Sequence, residues 1–202
     1  MYIFSYKVEH DLGLAPNPFH NFCTLAVCKS SIRHNKNLSI GDWVIGTGSK
    51  SLGNTNHLVY AMKVEEKIEF NEYWKDERFK SKKPVIKGSL VKIYGDNIYH
   101  QDANSKKWIQ EDSAHSLDNG ITNEGHMKRD IDGEYVLVSR EFYYFGENAP
   151  KIPEELKDVC NKGRDMKYKA IPPEVRESFV LWLKDNYKPG IHGDPANWKD
   201  HL

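Results

Sequence analysis

The sequence is short of cysteine: three residues, Cys23, Cys28 and Cys160, in 202. That number excludes a disulfide framework. Net charge is also lacking, with 29 basic against 29 acidic side chains. The global basic field of many nucleic-acid binders is therefore missing, which leaves only a local basic groove open. No apolar run approaches the ~20 residues needed to span a bilayer. The opening MYIFSYKVEHD meets Lys7 too early for a secretory signal. Long repeats and low-complexity tracts are absent. These absences lead us to expect a soluble, cytoplasmic protein with no membrane partner, of one domain or one domain with an appendage.

What is present is rich in rings. Aromatics make up 12% of the chain within a hydrophobic total of 39%, and large rings bury much apolar area each. YIFSYKV, DWVIGTG after the Gly41-Asp42 turn, and HLVYAMKVEEKIEF read as strands. In the last, Leu58, Tyr60, Met62 and Val64 alternate onto one face. CTLAVCKSSIRHNKN fits either a buried strand or the start of a helix. NEYWKDERF suits a short helix, and GDNIYH and KKWIQED short extended pieces. Ser113 to Asp132 has no period and reads as one long loop. EYVLVS and EFYYFG read as a closing hairpin. After Pro150 the character turns helical. IPEELKDVCNKG is short, and PPEVRESFVLWLKDNY carries proline at its start with Val175, Phe179 and Trp182-Leu183 on one face. The expectation is an α+β fold, with a β-rich domain over 1–150 and a helical extension over 151–202.

The glycine-rich SIGDWVIGTGSK invites a phosphate-loop reading, and spacing rejects it. A P-loop needs glycine five residues before Gly48, where Trp43 stands, and Lys directly after Gly48, where Ser49 stands. Gly46-x-Gly48 has no third glycine at dinucleotide spacing, and the segment beyond it leads into a strand instead of a helix. A strand ending in a glycine loop remains. Main-chain N–H groups near Ser49, with Lys50 beside them, are candidates for holding a phosphate.

His20, Cys23, Cys28 and His34 have zinc-ligand chemistry but the wrong spacing: residues five apart do not share a face of a strand or a helix. No metal site is expected. A cysteine nucleophile assisted by His20 or His100 lacks a local motif. YGDNIYH offers a ring-reading mixture. Asp96 and Asn97 have the donors and acceptors that read a base edge, and Tyr99 or Tyr94 can stack on a base. Gly-Asp-Asn is equally ordinary turn chemistry. Trp43 and Trp74 are further candidates for a ring pocket, and Arg33, Lys36 and the Lys75–Lys83 run for phosphate contacts.

The ordered motifs GLAPNPFHNFCTLAVCKSSIR, IGDWVIGTGSK, YWKDERFKSKKP, YGDNIYH and FYYFG resemble the second of the nucleotide-modification-associated domain families, found in bacteria and phages. The resemblance covers Met1 to Pro153 and leaves the helical C-terminus outside. It implies an association with modified bases in DNA and carries over no reaction and no cofactor. GDWVIGTGS, HLVYAMKVEEKIEF and YWKDERF also resemble, more weakly, the PUA-like group with its EVE and YTH modules. That likeness implies a small β-barrel with peripheral helices, which holds a flipped base in an aromatic pocket.

Two functions follow as expectations. In the first, the protein recognises a modified or flipped nucleobase in a DNA modification or defence setting, with DNA or a modified nucleotide as ligand and protein partners from the same system. Trp43, Asp96, Asn97 and Tyr99 would then meet the base, and Arg33, Ser49 and Lys50 the phosphate. In the second, it is a transferase-like or glycosidase-like enzyme acting on a nucleobase or nucleotide, with Asp96 and His100 as acid and base.

Overall fold

The computed structural model describes residues 1–163 and 165–201, with the backbone alone for 200 and 201. It is a mixed α/β protein. The strands are β1 (Ile3–Lys7), β2 (Cys23–Leu25), β3 (Trp43–Thr47), β4 (Leu58–Lys63) and β5 (Glu66–Glu69), followed by β6 (Tyr99–Gln101), β7 (Trp108–Gln110), β8 (Tyr135–Ser139), β9 (Phe142–Tyr144) and β10 (Gly190–Ile191). The helices are α1 (Ser30–Arg33), α2 (Phe70–Lys75), α3 (Leu90–Ile93), α4 (Glu124–Ile131) and α5 (Pro173–Asn186). The chain folds as two compact units. The first holds Met1–Leu12, Lys36–Glu65 and Ser139–Leu202, and the second Gly13–Asn35 and Glu66–Val138.

The first unit is built on a sheet of order β1-β3-β4-β9-β10. β1 runs parallel to β3, β4 antiparallel to both β3 and β9, and β10 parallel to β9. Its edge strands β1 and β10 do not meet, and among the described residues no sheet closes into a barrel. Helix α5 opens with Pro173 at a position where the missing N–H costs nothing. Phe179 and Leu183, four residues apart on one face, are fully buried against Ile3, Trp43, Ile45 and Tyr143. Ile152, Leu156, Val159, Ile171, Phe179 and Leu183 thus share the core of this unit with the N-terminal strands.

The second unit has a sheet of order β2-β8-β5 and the ribbon β6-β7. Three local expectations change here. HLVYAMKVEEKIEF makes two strands, β4 and β5, in different sheets, because the pairing partner changes at Val64-Glu65. EYVLVS and EFYYFG do not form a hairpin: β8 pairs with β5, and β9 with β4. The expected long loop contains α4, capped by the Asn123 side chain, which accepts the His126 N–H at 3.1 Å.

Phe179→Ala empties the centre of the first unit and is expected to cost about 3–5 kcal/mol of stability, read by urea denaturation. A loss under about 1 kcal/mol would contradict a core position for α5.

Candidate functional site

In the second unit one buried carboxylate gathers residues from distant segments. Asp130, on the buried side of α4, accepts the backbone N–H of Cys28 on Oδ1 at 2.7 Å. Its Oδ2 accepts the Tyr99 hydroxyl at 2.9 Å and faces His115 Nδ1 at 2.7 Å. In the neutral ring the nitrogen against the carboxylate carries the proton, and His115 Nε2 is then the acceptor. That nitrogen lies 3.8 Å from Cys28 Sγ. Thiol, imidazole and carboxylate thus stand together, with the imidazole in reach of both other groups, the contacts that a general base requires to take a thiol proton.

The frame around this cluster is fixed by spent donors. Arg33 is fully buried. Its Nε donates to the Cys28 carbonyl at 2.9 Å, Nη1 to the Tyr135 carbonyl at 2.8 Å and Nη2 to the Asp130 carbonyl at 2.6 Å. Burial lowers the Arg33 pKa to about 10, against the nearby charge of Asp130. Gly133 makes room for this guanidinium, since a Cβ there would fall on it. Gln110 donates to the Tyr99 hydroxyl and the His115 carbonyl, at 3.0 and 3.1 Å. Cys28 and Lys29 both have left-handed backbones, φ 55° and 42°. That strain persists only where the surroundings dictate it, and here Asp130 and Arg33 hold both main-chain groups of Cys28.

Cys28 is half-buried, whereas Cys23 and Cys160 are buried. Burial raises the thiol pKa of both, that of Cys160 to about 11. Burial alone would lower the pKa of His115, but its contacts with Asp130 and Cys28 outweigh burial and raise it to about 9. Burial pushes Asp130 up, and the His115 bond and charge with the Cys28 and Tyr99 donors bring it below the carboxylate range. The His126 ring stands 4.6 Å from that of His115. Burial and the His115 charge lower its pKa.

Cys28, His115 and Asp130 also have ligand atoms within 4.8 Å of one another. Three such donors are the number that a catalytic zinc keeps, and here the Asp130 oxygens already accept from Cys28, Tyr99 and His115.

The residues singled out in the sequence divide among several places. Trp43 is 1% exposed in the core of the first unit, tilted against Tyr143 at 6.2 Å, and presents no face to a ligand. Asp96 and Asn97 are buried in a second polar network. Asp96 accepts from Thr24 and Tyr73, both at 2.6 Å. Asn97 Nδ2 donates to the carbonyls of Tyr73 and Phe79, while its Oδ1 is buried without a partner among the described residues. Arg33 and Tyr99 both serve Asp130, so Arg33 is a fastener with its donors on main-chain carbonyls. His100 pairs with Glu111 at 2.8 Å and stacks on Trp74 at 4.1 Å. Ser49 and Lys50 line a cavity of the first unit. The Gly48 and Ser49 N–H groups go to His57 O and Asn54 Oδ1, so they form no phosphate nest. Sequence reasoning considered a cysteine nucleophile beside His20 or His100 without singling out Cys28, and it missed Asp130.

Protonated His115, with a folded value of about 9 against an ordinary 6.5, adds stability that is complete below about pH 6.5 and disappears as pH rises through about 9. Asp130, held low, adds stability above the ordinary carboxylate range that is lost as pH falls through its depressed value. Urea denaturation should therefore show the wild type losing stability relative to His115→Gln between pH 6.5 and 9. Parallel pH profiles would refute the pair.

A family model described as nucleotide modification associated domain 2 matches residues 1–202. The match takes in the C-terminal segment that the motif resemblance left outside. No curated protein and no solved structure matches the chain. The chain belongs to the nucleotide modification associated domain 2 family.

Proposed function

We propose that this protein is a cysteine-dependent group-transfer enzyme acting on a nucleotide or nucleobase in DNA modification. The observation that carries the reading is the Cys28–His115–Asp130 cluster, in which Cys28 is half-buried. Cys28 Sγ attacks an electrophilic acyl or amide carbon attached to the nucleotide. The thiol proton passes to His115 Nε2 and on to the departing amine or alcohol as the carbon–heteroatom bond breaks. A thioester on Cys28 results. Water or an acceptor amine then attacks it, His115 takes the proton, and the proton returns to the sulfur as the C–S bond breaks. Asp130 keeps the imidazole in one tautomer throughout. The family supports the nucleotide context, and the site supports the chemistry.

Under native conditions iodoacetamide should alkylate Cys28 and spare Cys23 and Cys160. His115→Ala and Asp130→Asn should each slow that alkylation by at least about tenfold at about pH 9, where the neutral His115 ring is well populated, since general-base assistance is worth about 10²–10⁴. Incubation with acyl- or amide-bearing nucleotides should add mass at Cys28, mapped by peptide mass spectrometry. Equal alkylation rates in all variants, or turnover retained by Cys28→Ala, would defeat the proposal.

A second reading, recognition of a base, has its own support in the same unit. A cavity of about 330 Å³ is lined by Phe70, Trp108 and Tyr135, with Asn71 and Gln101 among its polar groups. Phe70 and Trp108 meet edge to face at 5.8 Å. The size is at the lower end of ligand pockets, about 300–1,000 Å³, and suits a single ring system. On this reading base stacking belongs to Trp108 and Tyr135, and a PUA-like relationship would rest on function more than on a closed barrel. Trp108→Ala should weaken nucleoside binding about tenfold by calorimetry, consistent with roughly 1–3 kcal/mol per stacked base. Unchanged affinity would remove this reading and leave the thiol chemistry standing.

A further inference from the structure

The first unit holds a second cavity, about 270 Å³, whose rim carries three lysines from three separate segments. Lys7 ends β1, Lys50 lies in the loop from β3 to β4, and Lys162 follows Cys160 in the C-terminal part. Glu9 is the one acidic side chain among the lining residues. In a chain whose charges cancel overall, three ammonium groups against one carboxylate around a small concavity make a local positive field. Ser49, Ser51 and Asn56 add hydroxyl and amide groups to the same wall.

The loop beneath these groups is held by its own hydrogen bonds. Gly48 donates its N–H to His57 O at 2.8 Å, and Ser49 to Asn54 Oδ1 at 3.2 Å. Leu52 donates to Ser49 Oγ at 3.3 Å, and Gly53 to Lys50 O at 3.1 Å. Gly48 sits so close to the Asn54 carbonyl that no Cβ fits. Lys7 Nζ reaches the Lys162 carbonyl at 3.4 Å, which brings the ends of two segments to one side of the rim. The loop thus carries Lys50 and its hydroxyls on a hydrogen-bonded frame, with several of its main-chain donors already spent.

We propose that this cavity is a phosphate-binding site for a nucleotide phosphate, with Lys50 and Lys162 as its principal charges and Lys7 completing the rim. Three point charges with hydroxyls between them suit the several oxygens of a phosphate. The volume, just under the usual ligand range, suits one phosphate-bearing unit. The phosphate belongs either to a free nucleotide or to the backbone of a single strand, and both present the same anion. The site stands independently of the thiol chemistry.

Binding is measured for a nucleoside 5′-monophosphate, its nucleoside, and an unphosphorylated single-stranded oligodeoxynucleotide, on wild type, Lys50→Gln/Lys162→Gln and Cys28→Ser. Lys50 and Lys162 are exposed, so the double variant should keep its melting midpoint. The wild type is expected to bind the monophosphate at least tenfold more tightly than the nucleoside if free nucleotide is the source. If a strand is the source, it should bind the oligonucleotide with a salt slope of roughly 0.7 per lysine engaged. In either case the double variant should lose at least tenfold in affinity, while Cys28→Ser binds as the wild type does. A double variant that binds as tightly as the wild type, or a wild type that favours neither phosphate-bearing ligand over the nucleoside, would overturn the site.

Discussion

The second unit depends on one carboxylate being ionised where there is little water. Asp130 is 3% exposed, and an unpaired charge at such a position would cost several kcal/mol. It stays charged because the Cys28 N–H, the Tyr99 hydroxyl and His115 Nδ1 all point at it. Each of those donors would in turn be an unsatisfied buried group without it. The dependence is mutual, and it joins segments 102, 31 and 15 residues from Asp130. Arg33 closes the frame from the other side by taking the carbonyls of Cys28, Asp130 and Tyr135. The position of the thiol is therefore a consequence of satisfying the carboxylate, and this is why two consecutive left-handed residues are tolerated at Cys28 and Lys29.

The pattern of apolar residues carried much of the architecture. β1, β3 and β4 lie where alternation and turn residues put them, and α5 begins at the proline that announces it. Periodicity fails where burial is not apolar. Helix α4 has one buried residue, Asp130, so it has no apolar stripe to read and resembles a loop. Strand limits near Val64 and Ser139 are invisible for a different reason. A run of strand-forming residues gives no sign that its partner changes, because pairing is a long-range property. Trp43 illustrates the converse. A tryptophan beside glycines suggests a stacking platform, but its neighbours on the sheet and α5 bury it as ordinary core.

The site was less legible than the fold because its parts are far apart. Cys28 and His115 are separated by 87 residues, and nothing local marks either of them. Histidines closer in sequence to Cys28, or placed in a suggestive motif such as YGDNIYH, draw attention instead. What the sequence does show is an excess of ionisable residues in segments without apolar period, and both His115 and Asp130 lie in such a segment. That signal identifies a region and leaves the partners open.

The two buried carboxylates of this unit separate scaffold from chemistry. Burial raises the Asp96 pKa, and the burial of neighbouring Lys82 lowers that group to about 8. Both are pushed toward neutrality, and both are locked on partners that cannot leave: Asp96 on Thr24 and Tyr73, Lys82 on the carbonyls of Asn17 and Phe22. Such a network fixes the geometry of β2, α2 and the Tyr94–Asn97 turn and has no open end. Asp130 is pushed the other way, and its chain of bonds runs outward through His115 to the half-buried Cys28. A charge held in the interior with a proton path toward the surface is what acid–base chemistry needs. Asp96 is locked on Thr24 and Tyr73, whereas Asp130 is linked through His115 to the half-buried Cys28. The difference between these two carboxylates lies in what surrounds them, and it is the reason the proposed chemistry is centred on Cys28.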